Sequence, residues 1–310
     1  MSMKNKWKRA FALTLAAMMT AGTVTGCGSA GAGSSESSSG EEAGTLRVGS
    51  KDFTENEIVA EVYALALEKA GFEVERTFDI GSALIHTSIT NDEIDLYPEY
   101  TGTGLITVLG EAPMTDGQEV YDKVKAEYAE QYNITWLDYS EANDGQGLVI
   151  RTEVAENFDI ASISDLQKAA EELRFASPGE FDEREDGRPA LEAVYGPFEW
   201  KSSKVYDNAL KYEVLSNDEA DVAPAYTTEG RLTDPQFTLL EDDKHVWPPY
   251  NLAPIVRTEV LDEHKEISDV LNKVSAAFTT ENITALNARV DIDGEEYEDV
   301  ARDFFEENIQ

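Results

Sequence analysis

The chain has 310 residues, with 62 Asp and Glu against 25 Lys and Arg, which gives a formal net charge of −37 at pH 7. Such acidity argues against nucleic acid as a partner, because every phosphate contact needs Lys or Arg, and it equally disfavours electrostatic docking on anionic lipid. A single cysteine excludes an intramolecular disulfide framework and any zinc or iron–sulfur site built from several cysteines. With 41% hydrophobic and 9% aromatic residues, the chain can bury a sizeable core, as one two-lobed globule or as two domains.

Residues 1–26 have the features of a secretory signal. Four basic residues precede a short apolar run at 11–19, which cannot span a membrane, and small residues follow up to 24–27 (VTGC). This ending resembles the lipobox of bacterial lipoproteins, which implies cleavage before Cys27 and diacylation of its thiol; the alternative is an ordinary signal with an incidental cysteine. Cleavage would leave 21 basic against 62 acidic residues, a net charge of −41. After the lipidated cysteine, the segment up to residue 45 is rich in Gly, Ser and Glu and predicts a flexible tether.

From residue 46 onward, the hydrophobic pattern predicts strands and helices in alternation. Residues 46–49 alternate as in a strand, and apolar residues from 58 to 69 recur at helical spacing up to Gly71, which predicts the end of that helix. This order favours an α/β fold with a largely parallel sheet. Further strands are predicted at 72–80, 95–97, 148–150, 173–176 and 205–206, and further helices at 83–89, 117–132, 163–173, 266–278 and 300–308.

One internal repeat is present. Residues 91–100 (NDEIDLYPEY) and 217–226 (NDEADVAPAY) are identical at six of ten positions. Each copy leads from an acidic turn through a short strand to a proline and a final tyrosine, Tyr100 or Tyr226. Because ligands bind at the carboxyl ends of strands in open α/β sheets, two similar lobes that each present a tyrosine would form a cleft. The alternative is a chance similarity of two turn–strand segments.

Four ordered motifs resemble those of one protein family. They are 48–55 (VGSKDFTE), 95–103 (DLYPEYTGT), 225–231 (AYTTEGR) and 248–254 (PPYNLAP). Together they resemble the substrate-binding proteins of ABC importers for glycine betaine, carnitine and choline, over about residues 46–308. The resemblance implies the type II periplasmic-binding-protein fold, an α/β fold with the ligand in a cleft between two lobes.

The resemblance also implies a domain organisation and a function. Lobe I would comprise residues 46–143 plus 247–310, lobe II residues 144–246, and the two crossings would form a hinge. The protein would be an extracytoplasmic, lipid-anchored monomer that captures a quaternary-ammonium compound and delivers it to an ABC permease and its ATPase subunit. It would perform no covalent chemistry and need no cofactor or metal, and the cargo would serve osmoprotection or nutrition.

The family's cage of tyrosines falls on Tyr100, Tyr226 and Tyr250. A quaternary ammonium has no N–H to donate, so aromatic faces recognise it through cation–π attraction. Each tyrosine alone could be a packing residue, but three on separate matching motifs favour a cage. Tyr97 alternates away from Tyr100 along its strand, which favours a structural role.

The ligand's carboxylate requires an opposite charge. The resemblance implies that Lys51, after the first strand, points toward a bound carboxylate and that Thr103 can donate its hydroxyl. Arg184 lies in a segment that resembles the family's Glu-Phe-x-x-Arg-x-Asp-Gly and could hold a carboxylate through two hydrogen bonds. The alternative is a surface arginine that pairs with Glu183 or Asp186.

The sequence departs from the family at one cage position. Members with a fourth cage tyrosine carry it in Phe-Asn-Asn-Thr-Tyr-Ala-Leu, whereas residues 142–148 read ANDGQGL and place Gln146 there. The site is then expected to be more open and more polar on that side. This favours a larger or more hydrogen-bonding betaine than glycine betaine, such as carnitine or a histidine-derived betaine.

Two other classes of function are alternatives to this reading of the sequence. An extracellular hydrolase could use paired carboxylates, but no recognisable catalytic motif is present, and His86, His245 and His264 lie far apart in the sequence without metal-ligand spacing. A receptor for an amino acid or another zwitterion on the same fold would use Lys51 and Arg184 but would not need three converging tyrosines.

Overall fold

The computed structural model describes residues 45–207 and 210–309. The predicted signal, Cys27 and the tether up to residue 44 lie outside the described residues. Those described fall within one compact unit. They form ten strands: β1 Thr45–Lys51, β2 Glu73–Ile80, β3 Leu96–Tyr100, β4 Ile134–Trp136, β5 Gln146–Arg151, β6 Arg174–Ser177, β7 Ser202–Val205, β8 Val222–Tyr226, β9 Phe237–Leu239 and β10 Leu252–Arg257.

Helices alternate with these strands and extend to the end of the described chain. The α-helices are α1 Thr54–Ala70, α2 Ile85–Thr90, α3 Thr101–Thr103, α4 Gly117–Tyr132, α5 Thr152–Phe158, α6 Ile163–Ala169, α7 Glu180–Glu183, α8 Arg188–Tyr195, α9 Lys211–Ser216, α10 Thr258–Glu263, α11 Glu266–Ser275, α12 Thr280–Asp291 and α13 Tyr297–Asn308. A π-helical turn at Gly104–Val108 and 3₁₀ turns at Ala170–Glu172 and Gly230–Thr233 complete them. In residues 45–207 and 210–309, no helix is both long and apolar enough to cross a membrane.

The strands form two five-stranded sheets with the same topology. Their orders are β2-β1-β3-β10-β4 and β7-β6-β8-β5-β9. In the first sheet, β1 is parallel to β2 and β3, whereas β10 is antiparallel to β3 and β4; the second sheet repeats this arrangement. In each sheet described, four strands therefore run in the same direction, as predicted, and one strand, β10 or β5, runs opposite to them. Strands β10 and β5 begin beside the ends of β3 and β8, so they run in the opposite direction.

The chain passes between the two sheets through two adjacent segments. The first sheet takes its strands from residues 45–136 and from β10, and the second takes its strands from residues 146–239. Asn143 and Asn251 form an antiparallel bridge between the crossings, and the Tyr250 backbone N–H donates to Asn143 Oδ1 at 2.6 Å. The start of β5 and the start of β10 are thus fixed side by side.

The internal repeat occupies equivalent positions in the two sheets. Its two copies end β3 and β8, and each contains a buried aspartate, Asp95 or Asp221, directly before its strand. Each carboxylate accepts hydrogen bonds from one arginine on the neighbouring parallel strand and from another at the end of the neighbouring antiparallel strand. These arginines are Arg47 and Arg257 in the first sheet, and Arg174 and Arg151 in the second.

Helix α1 positions the segment that follows β1. Ile58, Val62 and Leu67 are fully buried against the first sheet and the last helices of the chain, and such burial contributes roughly 1.5–3 kcal/mol per side chain. As predicted, Gly71 ends the helix, with a left-handed φ of 104° that few other residues adopt. The first turn, including Glu55, is therefore held rigidly beside the end of β1.

Candidate ligand-binding site

All seven side chains that the sequence predicts for ligand binding line one cavity of about 500 Å³. Five of them are placed by strands: β1 and β3 end at Lys51 and Tyr100, β8 ends at Tyr226, β5 begins at Gln146, and Tyr250 lies two residues before β10. Thr103 ends the short helix α3, which follows β3, and Arg184 directly follows α7, which comes after β6. The other lining residues are Phe53, Thr54, Glu55, Ser82, Thr107, Asp144, Thr228, Glu229, Asn287 and Asp291.

Four aromatic rings face this cavity from both sheets. Tyr100 is only 3% exposed, and its ring stacks on Phe53 with 6.1 Å between the ring centroids. The ring of Tyr250 lies over the backbone of Gly102, where a Cβ would come within 2.6 Å of it. Tyr226 extends from the second sheet and is 40% exposed. Phe53 lies within the motif at 48–55, but no ligand-binding role was predicted for it; an aromatic residue just after the first strand was the available signal.

Lys51 is buried and already paired within the protein. Its ammonium forms an ion pair with Glu99 and lies 5.1 Å from the ring centroid of Tyr100. The Glu99 carboxylate also accepts a hydrogen bond from Tyr97, which is fully buried and does not line the cavity. Lys51 therefore reaches the cavity with its charge neutralised by Glu99.

Arg184 is likewise paired, with Asp186. Its Nε and Nη2 donate to the two carboxylate oxygens of Asp186 at 2.8 and 2.6 Å, and its third contact, to Glu180, is longer at 3.3 Å. This pairing raises the pKa of Arg184 above its ordinary value. One of the pairings that the sequence left open is thus present, while Arg184 also lines the cavity.

Asp186 connects three of the predicted residues. Besides Arg184, it accepts a hydrogen bond from Gln146 Nε2 at 2.7 Å, and the Tyr250 hydroxyl lies 3.5 Å from the same oxygen. Gln146 therefore presents its amide toward Asp186, where the resemblance would place a fourth cage ring. Asp186 itself is nearly buried, so these contacts act with little competition from water.

Two carboxyl groups that were not predicted as site residues also line the cavity, Glu55, which is buried, and Asp144, which is partly buried. Glu55 accepts hydrogen bonds from the Tyr100 hydroxyl at 2.8 Å and from Asn287 Nδ2 at 2.9 Å. The Thr228 hydroxyl donates to Asp144 at 2.7 Å. Burial raises the pKa of Glu55, and burial together with the charge of Glu55 raises the pKa of Asp144. Glu55 lies in the motif at 48–55 and Asp144 in the segment 142–148, but no local pattern indicated that the two residues are close together.

The lining is therefore acidic overall. Two cationic side chains line the cavity, and each has a carboxylate partner, Glu99 or Asp186, outside the lining. Because both cations are already paired, the cavity presents no free positive charge to repel a cationic group. The carboxyl side chains in the lining are Glu55, Asp144, Glu229 and Asp291. No group of three His, Cys, Asp or Glu side chains among the described residues is arranged to hold a metal ion.

The family model described as the substrate-binding domain of an ABC-type glycine betaine transport system matches residues 44–307. The chain belongs to this family. A glycine-betaine-binding protein of Pseudomonas aeruginosa is 34% identical over 277 residues, which cover 86% of this chain and 89% of that protein. A carnitine transport binding protein of Listeria monocytogenes is 31% identical over 274 residues, which cover 87% of this chain and 88% of that protein.

Structural similarity agrees with this assignment. A crystal structure described as a glycine betaine/carnitine/choline ABC transporter superposes with a TM-score of 0.79 at 25% identity, covering 86% of this chain and 98% of that chain. The α/β, two-lobed periplasmic-binding-protein fold that the sequence predicted is thereby confirmed. As a family member, the chain is an extracytoplasmic substrate-binding protein of an ABC transporter and not an enzyme, which also confirms the predicted class of function.

Proposed function

We propose that this protein captures a quaternary-ammonium compound of the betaine, carnitine or choline type and delivers it to an ABC permease. The observation that carries the proposal is the convergence of four aromatic rings, from both sheets, on one cavity with an acidic lining. Each ring face attracts a desolvated trimethylammonium by about 0.5–2 kcal/mol. A cage of this kind needs no hydrogen-bond donor on the cation, which is what a quaternary nitrogen requires.

The carboxylate of a zwitterionic ligand would bind at the opposite pole, beside Arg184 and Thr103. Arg184 has more than two N–H donors, so it can keep one contact with Asp186 while it turns another toward the ligand. Lys51 would bind the carboxylate only by sharing its ammonium with Glu99, its partner within the protein. A ligand without a carboxylate, such as choline, would leave the pair of Arg184 and Asp186 undisturbed.

Ligand binding would close the cleft between lobe I, residues 46–143 plus 247–310, and lobe II, residues 144–246. The two paired crossings support this, because a hinge of two short adjacent segments permits one lobe to rotate against the other. The closed form would then dock on the permease, whose ATPase subunit drives import. We expect a monomer whose cargo serves osmoprotection or nutrition.

The lipid anchor at Cys27 belongs to the same proposal. Its support is the VTGC ending after a short apolar run. Cys27→Ser should prevent diacylation and remove the protein from the membrane fraction. Cell fractionation measures this; recovery of the variant in the membrane fraction at the wild-type level, with the signal removed, would contradict it.

One specific observation favours a second candidate, an amino-acid receptor on the same fold. The carboxyl groups of Glu55 and Asp144 could accept N–H bonds from a primary ammonium, which a quaternary nitrogen cannot donate. Titration calorimetry with glycine betaine, proline betaine, carnitine, choline, ergothioneine and a set of amino acids distinguishes the two. A true ligand at one hundred times its Kd should also stabilise the fold by about 2.7 kcal/mol. Tighter binding of amino acids than of every quaternary compound would overturn the proposed function.

A further inference from the structure

A second cavity of about 220 Å³ adjoins the first on the side of the second sheet. Gln146, Arg184 and Tyr226 line both cavities, so the two spaces meet at these three side chains. Gln146 and Tyr226 face each other across the β5–β8 pair. Gln146 and Arg184 are both held by Asp186 through hydrogen bonds of 2.6–2.8 Å. The two cavities thus meet at Gln146 and Arg184, which Asp186 holds in place, and at the partly exposed ring of Tyr226.

The lining of the second cavity combines apolar surface with four charged side chains, Glu180, Arg184, Asp207 and Lys211. Pro178, Phe181, Pro224 and Ala225 provide apolar surface, and Val205 stands at the rim with 70% of its surface exposed. Both basic groups are already paired: Arg184 binds Asp186, and Lys211 binds Glu229. An anionic group on a ligand would therefore find no unpaired basic side chain here, whereas an uncharged group would bury apolar area.

A polar atom lies behind this apolar surface. Ser177 ends β6, and its hydroxyl is buried without a hydrogen-bond partner in the described part of the chain. A narrow extension connects it to the second cavity through Pro178, Tyr206 and Lys211. Buried hydroxyl groups are normally hydrogen-bonded, but the extension beside Ser177 has no room for a water molecule, so this hydroxyl takes no part in the argument that follows.

We propose that the second cavity is a subsite for an uncharged, mainly apolar or aromatic substituent of the ligand. On the proposed function, from which this inference follows, the trimethylammonium and carboxylate occupy the first cavity and the substituent passes Gln146 and Tyr226 into the second. A molecule as small as glycine betaine leaves the second cavity empty. The preferred ligand is therefore a betaine that carries a substituent on its α-carbon.

The betaines of glycine, phenylalanine and histidine provide a matched series, because they share the same head and differ only in that substituent. Titration calorimetry at pH 8, where the histidine ring is neutral, should show one or both larger betaines binding at least about tenfold more tightly than glycine betaine. Binding of glycine betaine as tightly as both larger compounds would overturn the subsite and leave the proposed function intact. If none of the three binds while carnitine or choline does, the subsite is overturned and the proposed function stands; if no quaternary compound binds, both proposals fail.

Val205→Trp tests the location of the subsite. The larger ring at the exposed rim should reduce the advantage of the substituted betaines over glycine betaine at least fivefold, while the affinity for glycine betaine stays within twofold of wild type. Val194→Trp is the matched control, since Val194 is also exposed and lines neither cavity. It should change no affinity ratio, and thermal unfolding of both variants checks that each is folded. An unchanged ratio in Val205→Trp would place the substituent elsewhere and overturn the proposal.

Discussion

Tyr100 and Tyr226 occupy the same place in the internal repeat, yet the two halves of the site surround them differently. The ring of Tyr100 is buried, contacts Phe53 and the ammonium of Lys51, and its hydroxyl donates a hydrogen bond to Glu55. Tyr226 is 40% exposed. Its ring centroid lies 6.0 Å from the ammonium of Lys211, which is itself paired with Glu229. Equivalent strand ends thus place one tyrosine ring that the protein itself buries and one that stays partly exposed until a ligand covers it.

The cause of the difference lies in the residues around the two strand ends. After Tyr100 the chain continues directly into the short helix α3, and the rigid start of α1 covers the ring with Phe53 and Glu55. After Tyr226 it forms a turn in which Glu229 accepts the Tyr226 backbone N–H at 3.1 Å. A repeated motif therefore fixes where a side chain emerges, while the elements packed against it decide how firmly it is held. Four predictions test this comparison.

The largest effect is expected for Tyr100→Ala. Because the ring is buried, its removal should lower the free energy of unfolding by about 3–5 kcal/mol and should weaken ligand binding as well. Tyr97→Ala is the control, since Tyr97 is fully buried on the same strand but does not line the cavity. Urea unfolding should show similar losses for both variants, and calorimetry should show weaker binding only for Tyr100→Ala. Wild-type affinity in Tyr100→Ala would remove this ring from the cage.

Tyr226→Ala should show the opposite balance. Its free energy of unfolding should change by less than about 1 kcal/mol because the ring is partly exposed, whereas ligand affinity should fall by about 1–3 kcal/mol. Tyr226→Phe should bind nearly as well as wild type, since the ring face and not the hydroxyl provides the attraction. A large loss of stability, or an affinity within twofold of wild type in Tyr226→Ala, would contradict the interpretation that this ring contacts the ligand more than it contacts the rest of the protein.

Arg184→Ala should weaken glycine betaine more than choline, which has no carboxylate. The loss should be smaller than the roughly 2–5 kcal/mol of a fully buried charge pair, because the Arg184 side chain is more than one-third exposed and already paired with Asp186. Arg188→Ala is the control, since Arg188 pairs with Asp182 and does not line the cavity. Calorimetry with both ligands measures the difference; equal weakening of the two would assign Arg184 a structural role.

The fourth prediction concerns pH and the junction between the two halves, where Glu55 and Asp144 lie. Because burial raises both pKa values, the folded protein binds more protons than the unfolded chain above the ordinary carboxyl pKa of about 4. Their contribution to stability is therefore present at low pH and is lost as the pH rises through the raised values. Asp144→Asn should reduce the loss of unfolding free energy between pH 5 and pH 8.

A surface variant separates this effect from the general repulsion of a chain with net charge −37. Glu93→Gln also removes one carboxyl group, but from an exposed position outside the cavity. Denaturant unfolding at both pH values should show a reduced pH dependence in Asp144→Asn and a nearly unchanged one in Glu93→Gln. The same reduction in both variants would show that net charge alone governs the response.

Local patterns in the sequence determined much of this protein. The alternation and the helical spacing of apolar residues located most of the strands and helices. Gly71 ends α1 as predicted, because this helix end depends only on a backbone conformation that glycine adopts readily. The repeat placed Tyr100 and Tyr226 at equivalent strand ends, and ordered motifs indicated the seven side chains that line the cavity. Such features depend on residues close together in the chain, so the sequence alone can specify them. The ligand roles of these side chains and the lobe boundaries stay predictions.

Tertiary structure alone decided which partners these side chains have. No local pattern indicated that Glu99 would neutralise Lys51, that Asp186 would hold Gln146 as well as Arg184, or that β5 and β10 would run antiparallel to their neighbours. Asn287 reaches Glu55 across 232 positions of sequence, and the buried carboxyl groups acquire their raised pKa values only when such distant elements exclude water around them. Spacing fixes where a side chain emerges from its own element, whereas its charge state and contacts depend on what the rest of the fold packs against it.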